Sequence, residues 1–516
     1  MRLLLPLLAA CASPGPARPL DSVPPAVEDS AAVETGQEPG ASLDLVDPEV
    51  GALEATDHAD VVIIGSGAAG LAAGLAAREA GASVVILERD EKPGNGITYA
   101  NRAFAVGTTY QAAAGIDDSA EIAAAEWPSI TGVEGDTPAV YDFLAGSAET
   151  LNWLVGLGFA YDGLASDEDS GSVARLHTVR GEDTRRALVA DFDGDLRLRV
   201  EAEGLLSVRG RVRGVRWTDL ETGEQGVTWA HAVVVATGGF LRDRAKVDEV
   251  RPDLVGRELL AETSPEATGG GLGLLEDVGA GWASPEDIGI YVHAIQDPDR
   301  DPGEALIFGA MDQALFVDAA GTRFADERNS RSLGFFEAVP VGDVYMVAPD
   351  AIAGSFMATR PDYNRSDPLV EERFGMGDLV LSSSEVHLAT TPRELAELAG
   401  IDPDGLEATL DEVDALTESD GVDAFGRDFG GGLRFDDDLW WSIHLTPGLA
   451  KGFGGVATDE RARVLDADGQ PIPGLYAAGE VAGMLPGSGA GTGFSGSVLA
   501  CYHYGRVAGE QAADAD

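Results

Sequence analysis

Gly65-Ser66-Gly67-Ala68-Ala69-Gly70 sets three glycines at the G-x-G-x-x-G spacing, and an acid, Glu88, follows about twenty residues on. That combination can hold a dinucleotide. Gly65 permits a sharp turn, Gly67 lets backbone N–H groups approach a pyrophosphate at a positive helix end, and Gly70 lets helix and strand pack closely. Glu88 can accept both ribose hydroxyls. The elements that must position these residues are equally plain. Asp60-Val-Val-Ile-Ile-Gly65 is an apolar, β-branched run suited to a parallel strand buried on both faces. Leu71 to Ala80, rich in Ala and Leu, predicts a helix that Gly81 stops, and Ser83-Val-Val-Ile-Leu87 predicts the second strand, ending at Glu88.

Composition narrows the partners. With 516 residues, 44% of them hydrophobic, the chain can bury a large core and is long enough for more than one domain. A formal net charge of -53, from 88 acidic and 35 basic residues, excludes nucleic acid and an anionic membrane surface as electrostatic partners. Lysine occurs only at Lys92, Lys246 and Lys451, so basic charge is almost all arginine. A carboxylate-coated surface suits a saline habitat, and a GC-rich genome would equally exchange Lys for Arg. The two cysteines, Cys11 and Cys501, form no zinc or c-type haem motif, and no metal site is expected. Leu8-Ala9-Ala10-Cys11 resembles the lipobox of bacterial lipoprotein signal peptides, in which the cysteine is acylated; the apolar run before it is too short to span a bilayer. The resemblance implies a lipid anchor in the cell envelope. A mis-assigned start codon would instead leave the protein in the cytoplasm. Residues 12–57, rich in Pro, Ala, Ser and acids, read as a disordered tether.

Past the opening unit come Lys92-Pro-Gly94-Asn95-Gly96, Gly107-Thr108-Thr-Tyr-Gln111 and Gly115-Ile-Asp-Asp-Ser119. Here the chain resembles the fumarate reductase and succinate dehydrogenase flavoprotein family, which includes urocanate reductases and 3-ketosteroid dehydrogenases. The resemblance extends through Ala236-Thr237-Gly238-Gly239 at the end of a valine-rich strand, Thr268-Gly-Gly-Gly-Leu-Gly273, and a C-terminal return, Ile472 to Gly479-Glu480, with Gly487 to Gly493 leading into a helix from about Ser497. It implies FAD as cofactor. Contacts carry over onto the glycine turn, Glu88, Arg89, Gly94, Asn95, Thr108, Ala236, Thr237, Gly238, Gly479, Glu480 and Ser495. Covalent attachment is not expected, because no His lies between His58 and His177 where the linking residue would fall.

The same resemblance suggests which residues touch substrate. Gly321-Thr-Arg323-Phe324-Ala-Asp326-Glu327 is similar to the family's G-x-R-F-x-[ND]-E, and the fumarate reductases' proton-donating arginine, four residues past that Glu, matches Arg331. His293 falls where a substrate-binding His is frequent, and Lys451 in the segment that holds a second such His. Lys451 could grip a carboxylate or carbonyl oxygen as a point charge. Departures are as telling. Tyr99-Ala100-Asn101-Arg102 replaces the small S-G-G-G beside the flavin. Ala490 stands for the carboxylate-gripping arginine, Ile307 and Ala310 for the Glu and Arg of the proton relay, and Leu485 for the tyrosine of ketosteroid dehydrogenases. A C4 diacid is therefore not the expected substrate.

The expected fold is α/β: a Rossmann-like FAD-binding domain with a mixed sheet and a small β-meander between Leu196 and Trp229, with turns at Arg213-Gly214 and Thr222-Gly223, plus an inserted α+β capping domain. The expected divisions are a signal at 1–11, the tether at 12–57, the FAD-binding domain at 58–288 and 450–516, and the cap at 289–449. Trp127 to Gly158 should be helical, with Tyr141, Phe143 and Trp153 as packing residues. The expected function is an FAD-dependent oxidoreductase acting on a C–C bond beside a carbonyl or carboxylate of a small molecule, with an external electron carrier. The alternatives are ketosteroid-type oxidation and a surface flavoprotein that carries electrons without turnover.

Overall fold

The computed structural model describes residues 55–97, 102–131, 137–159, 161–165, 171–309, 313–329, 333–339, 343–354, 357–359, 371–373, 378–430, 435, 437–483, 485 and 496–515, all within one compact unit, 43–516. Cys11, most of the tether, Tyr99 to Asn101, Ala310, Arg331, Ala490 and Ser495 lie outside the described residues.

The opening strand β1 (Ala55–Ile64) runs into the glycine turn, and helix α1 (Ala68–Glu79) leads to β2 (Val84–Glu88). β1 is buried on both faces because it has a parallel neighbour on each side and a core above and below: Val62 and Ile64 pack into one apolar cluster, Val61 and Ile63 into the other. The chain continues through helices Ala120–Thr131 and Pro138–Gly156. Phe143 is buried there as expected, whereas Tyr141 is exposed and donates its hydroxyl to Glu121, so it is not a packing residue.

β3 (Asp195–Leu198), β4 (Val200–Val208), β5 (Arg211–Asp219) and β6 (Gln225–Val235) follow. β4 and β5 turn at Arg209-Gly210, both at positive φ, and not at Arg213-Gly214. Gly214 lies inside β5, where a Cβ would come within 2.8 Å of the Thr228 carbonyl oxygen; it is a close-packing glycine, not a turn glycine. The second turn, at Thr222-Gly223, is as expected. The meander joins the main sheet, since β5 pairs antiparallel with β6 and β6 parallel with β1.

Helix α2 (Gly270–Glu276) precedes β7 (Ile288–Gln296), and β8 (Trp440–Gly452) returns beside it antiparallel. Among the described residues β7 and β8 belong to a nine-stranded sheet, in which β8 also pairs with Val344–Pro349, Val386–Ala389 and, in parallel, Leu260–Ala261. β9 (Arg463–Leu465), β10 (Pro471–Ala477) and helix α3 (Val498–Ala513) complete the first sheet and cover it. That sheet has eight described strands, in the order β9-β10-β6-β1-β2-β3 with the β4–β5 pair attached through β6. The architecture is the α/β one expected: a mainly parallel sheet with an antiparallel meander, and a second sheet inserted before the return.

α3 lies directly on α1. A Cβ on Gly505 would come within 2.4 Å of the Ala69 carbonyl oxygen, and one on Gly509 within 2.1 Å of the Ala73 oxygen. Two glycines one turn apart on one helix thus meet two alanines one turn apart on the other, and the backbones touch. That contact holds the glycine turn and the C-terminal return in one place.

Candidate functional site

The carboxyl ends of β1, β2, β6 and β10 open into a cavity of about 770 Å³, large among small-molecule and cofactor sites, which span roughly 300–1,000 Å³. Its first wall is the glycine turn. Gly65 adopts φ +95°, and a Cβ there would sit 2.5 Å from the Ala236 carbonyl oxygen. Gly67 begins α1 with no side-chain cap, and the space where its Cβ would project is open. The first-turn N–H groups of α1 are thus presented to the cavity, which Ser66, Ala68 and Ala69 also line. Gly70 does not line it. A Cβ there would fall 2.0 Å from the Gly65 carbonyl oxygen, which is the close packing expected of the third glycine.

Glu88 ends β2 in the cavity wall and is fixed by the turn it serves. Its Oε2 accepts the Ser66 N–H at 2.8 Å and the Ser66 hydroxyl, and its Oε1 accepts the Asp90 N–H at 2.9 Å. Arg89 also lines the cavity and pairs with Glu266, with Glu201 3.7 Å away. Burial pushes the Asp90 carboxyl up to about 6, and the charges of Glu266 and Glu88 push the same way.

The opposite wall comes from the late strands. Ala236, Thr237 and Gly238 at the end of β6 line it, with Gly479 and Glu480 after β10. Glu480 is partly buried at the cavity wall, and desolvation raises its carboxyl while N–H groups of Gly452 and Gly239 and the charge of Lys451 oppose the rise. The Thr237 hydroxyl oxygen is buried without a hydrogen-bond partner among the described residues. Gly496, Ser497 and Cys501 bring the start of α3 to the cavity; burial pushes the Cys501 thiol up to about 12, so it stays protonated. An uncapped helix start beside an open glycine, a fixed acid at the neighbouring strand end, and a hydroxyl without a partner among the described residues at the far wall suit a flavin dinucleotide.

Lys451 lines the cavity from β8, and its Nζ stands 6.0 Å from the centre of the Tyr291 ring. His293 belongs to the same neighbourhood, edge-on to Tyr291 at 5.5 Å, yet it is not among the cavity-lining residues. It is buried and bonded through Nε2 to Glu262. Thr108 does not line the cavity. Its hydroxyl caps the short helix Thr109–Ala113, accepting the Gln111 N–H at 3.1 Å, and meets His177 Nε2 at 2.9 Å, away from the cavity. Gly94 does not line the cavity either; Gly96 does, and the Gly94 N–H donates to the Ser66 hydroxyl at 3.2 Å, while the side chain of Asn95 lies outside the described residues. Sequence reasoning missed Glu201, Thr263, Glu266 and Glu262. They stand on β4 and in the loop before α2, in no recognisable motif, and only chain folding brings them here.

This constellation defines a dinucleotide-binding redox site of the flavoprotein kind. The chain matches the family model of the FAD binding domain over residues 60–495 and belongs to the fumarate reductase/succinate dehydrogenase family of FAD-dependent oxidoreductases. It is similar to NADH:fumarate oxidoreductase of Klebsiella pneumoniae (strain 342), 30% identical over 88% of this chain and 47% of that one, so it spans about half that relative's length. It is 28% identical to fumarate reductase (cytochrome) of Shewanella frigidimarina, over 89% of this chain and 77% of the relative. Among solved structures, the open conformation of a flavocytochrome c3 fumarate reductase shares the fold, with a TM-score of 0.70, 24% identity, and 90% and 80% of the two chains covered.

Proposed function

We propose that the protein reduces a carbon–carbon double bond conjugated to a carbonyl or carboxylate of a small molecule, drawing electrons from an external carrier. Lys451 carries this reading: a cation on the cavity wall, near the carboxylate of Glu480 and an aromatic ring, in a chain with three lysines. Bound FAD supplies hydride chemistry at its N5 position. Lys451 holds the substrate oxygen as a point charge and favours the negative charge that grows there when the bond is reduced. The uncapped start of α1 binds pyrophosphate, and Glu88 binds ribose. His293 orients the substrate's polar end, and Arg331 returns the proton; the family resemblance supports both roles. The relatives named above for fumarate favour the reductive direction, while Ala490, Ile307 and Ala310 argue against a diacid.

The test is anaerobic. Dithionite-reduced holoprotein is mixed with acrylate, cinnamate, 2-cyclohexenone and fumarate, and flavin reoxidation is followed. Reoxidation by a monocarboxylate or enone supports the reading, and silence across the panel overturns it. Bleaching of oxidised flavin by a 3-ketosteroid would assign the reverse direction instead. Arg331→Ala that keeps FAD and full turnover removes that residue from the mechanism. We also propose that FAD is held noncovalently and that Cys11 anchors the chain to the envelope by a lipid. Acid-precipitated protein should release its yellow colour, and Cys11→Ser should move the protein from the detergent phase to the aqueous phase.

A further inference from the structure

We propose that Glu262 is a positioning residue of the active site, one that fixes the orientation and tautomer of His293 so that Nε2–H is committed to the carboxylate and Nδ1 is left for the substrate's polar end. This rests on the reading of His293 given above.

The pair is built by three strands at once. Leu260–Ala261 runs parallel to β8 in the register Leu260↔Gly448 and Ala261↔Leu449, and the Glu262 N–H donates to the Leu449 carbonyl at 3.0 Å. Glu262 is therefore anchored to the strand that carries Lys451. Gly448 makes room for it, since a Cβ there would lie 2.3 Å from Glu262 Oε2. His293 comes from β7, inside the irregular stretch between Tyr291 and Ala294 where the β7–β8 register shifts. Such bulges re-aim a side chain out of the regular alternation. The two side chains are each 5% exposed and share one hydrogen bond, Nε2 to Oε1.

The hydrogen-bond inventory then fixes the chemistry. A carboxylate only accepts, so Nε2 carries the proton in either charge state of the ring. Nδ1 makes no hydrogen bond among the described residues. Glu262 Oε2 is also buried without a partner, so the carboxylate serves the imidazole alone. An acid that commits one ring nitrogen and leaves the other to the reacting molecule is how a buried carboxylate orients a histidine in other enzymes. Lys451, Tyr291, His293 and Glu262 form a row of neighbours, and Lys451 at one end lines the cavity.

The test uses the FAD-loaded full chain with ¹⁵N-labelled histidine. Seven histidines give few signals, and His293 is assigned by its loss in His293→Gln. Nε2 should be protonated throughout in the native protein, and Glu262→Ala should give a mixture of tautomers. A native Nδ1–H tautomer, or a spectrum unchanged in Glu262→Ala, overturns the proposal. This readout needs no substrate, so it decides the role of Glu262 even if the alkene panel is silent, an outcome that would overturn only the proposed reaction. With an alkene from that panel, Glu262→Ala should raise KM about 10–100-fold and change kcat less, with FAD occupancy unchanged. The isosteric Glu262→Gln, which keeps a carbonyl acceptor, should recover most of the loss. An Ala variant with native KM overturns the proposal, as does one whose only change is lost FAD and stability.

Discussion

Glu88 holds the turn through Ser66 and Asp90 and also lines the cavity, where the proposed function makes it the ribose acceptor. Glu88→Gln keeps the shape but loses the charge, and hydrogen bonds to a charged group contribute about 1.5–3 kcal/mol. FAD affinity should fall roughly 10–100-fold, read by flavin fluorescence titration; an unchanged Kd would remove Glu88 from the ribose site. Asp90 next door gives a pH signature. Its folded value of about 6 lies above the ordinary 3.8, so between those values the folded chain keeps a proton that the unfolded chain has released. On this account stability falls as pH rises through that window and stays lower above it. Asp90→Asn should stabilise by up to about 1 kcal/mol at pH 7, allowing for solvent screening, and not at pH 4; urea midpoints at the two pH values check the sign. The sequence shows Glu88 because its place follows from a local motif. It hides Glu262 because the partner is 31 residues away and no spacing rule joins them. Thr108 is ambiguous for a related reason: a hydroxyl after a glycine suits a ligand loop and a helix cap equally, and with Gln111 it forms a cap.

At the scale of elements, the α1–α3 contact is the joint on which the cavity depends. Gly505→Val would drive a branched side chain into the Ala69 backbone, and overpacking of this kind costs about 1–3 kcal/mol. Because α1 would be displaced with it, the variant should lose FAD as well as thermal stability, whereas Gly156→Ala, at the end of helix Pro138–Gly156 with open space for its added carbon, should keep FAD. Retention of full FAD by Gly505→Val would show that the joint is dispensable. The strand–turn–helix of the opening unit is legible because apolar period, glycines and acid agree over thirty residues. The β4–β5 turn is not, because Arg209-Gly210 and Arg213-Gly214 look alike, and only packing against Thr228 tells a turn glycine from a close-contact one. Tyr141 is similar: helical spacing suggests a core position, and Glu121 on the neighbouring helix holds its hydroxyl at the surface instead.

The whole molecule carries 88 acids against 35 bases. Self-repulsion on that scale opposes the compact state and is screened by salt, with a Debye length of about 10 Å at 0.1 M and 3 Å at 1 M. Tm should rise steadily from 0.05 to 2 M KCl, and a Tm that is flat or falls over that range would show that the local ion pairs outweigh the excess charge. Joining the first described helix to the last described one also has a consequence for biogenesis. Gly505 leaves the ribosome some 436 residues after Ala69, which at about 5–20 residues per second is a delay of roughly 20–90 s. During that time the nucleotide turn lacks the backbone that packs against α1, so flavin loading is expected to follow synthesis of the return.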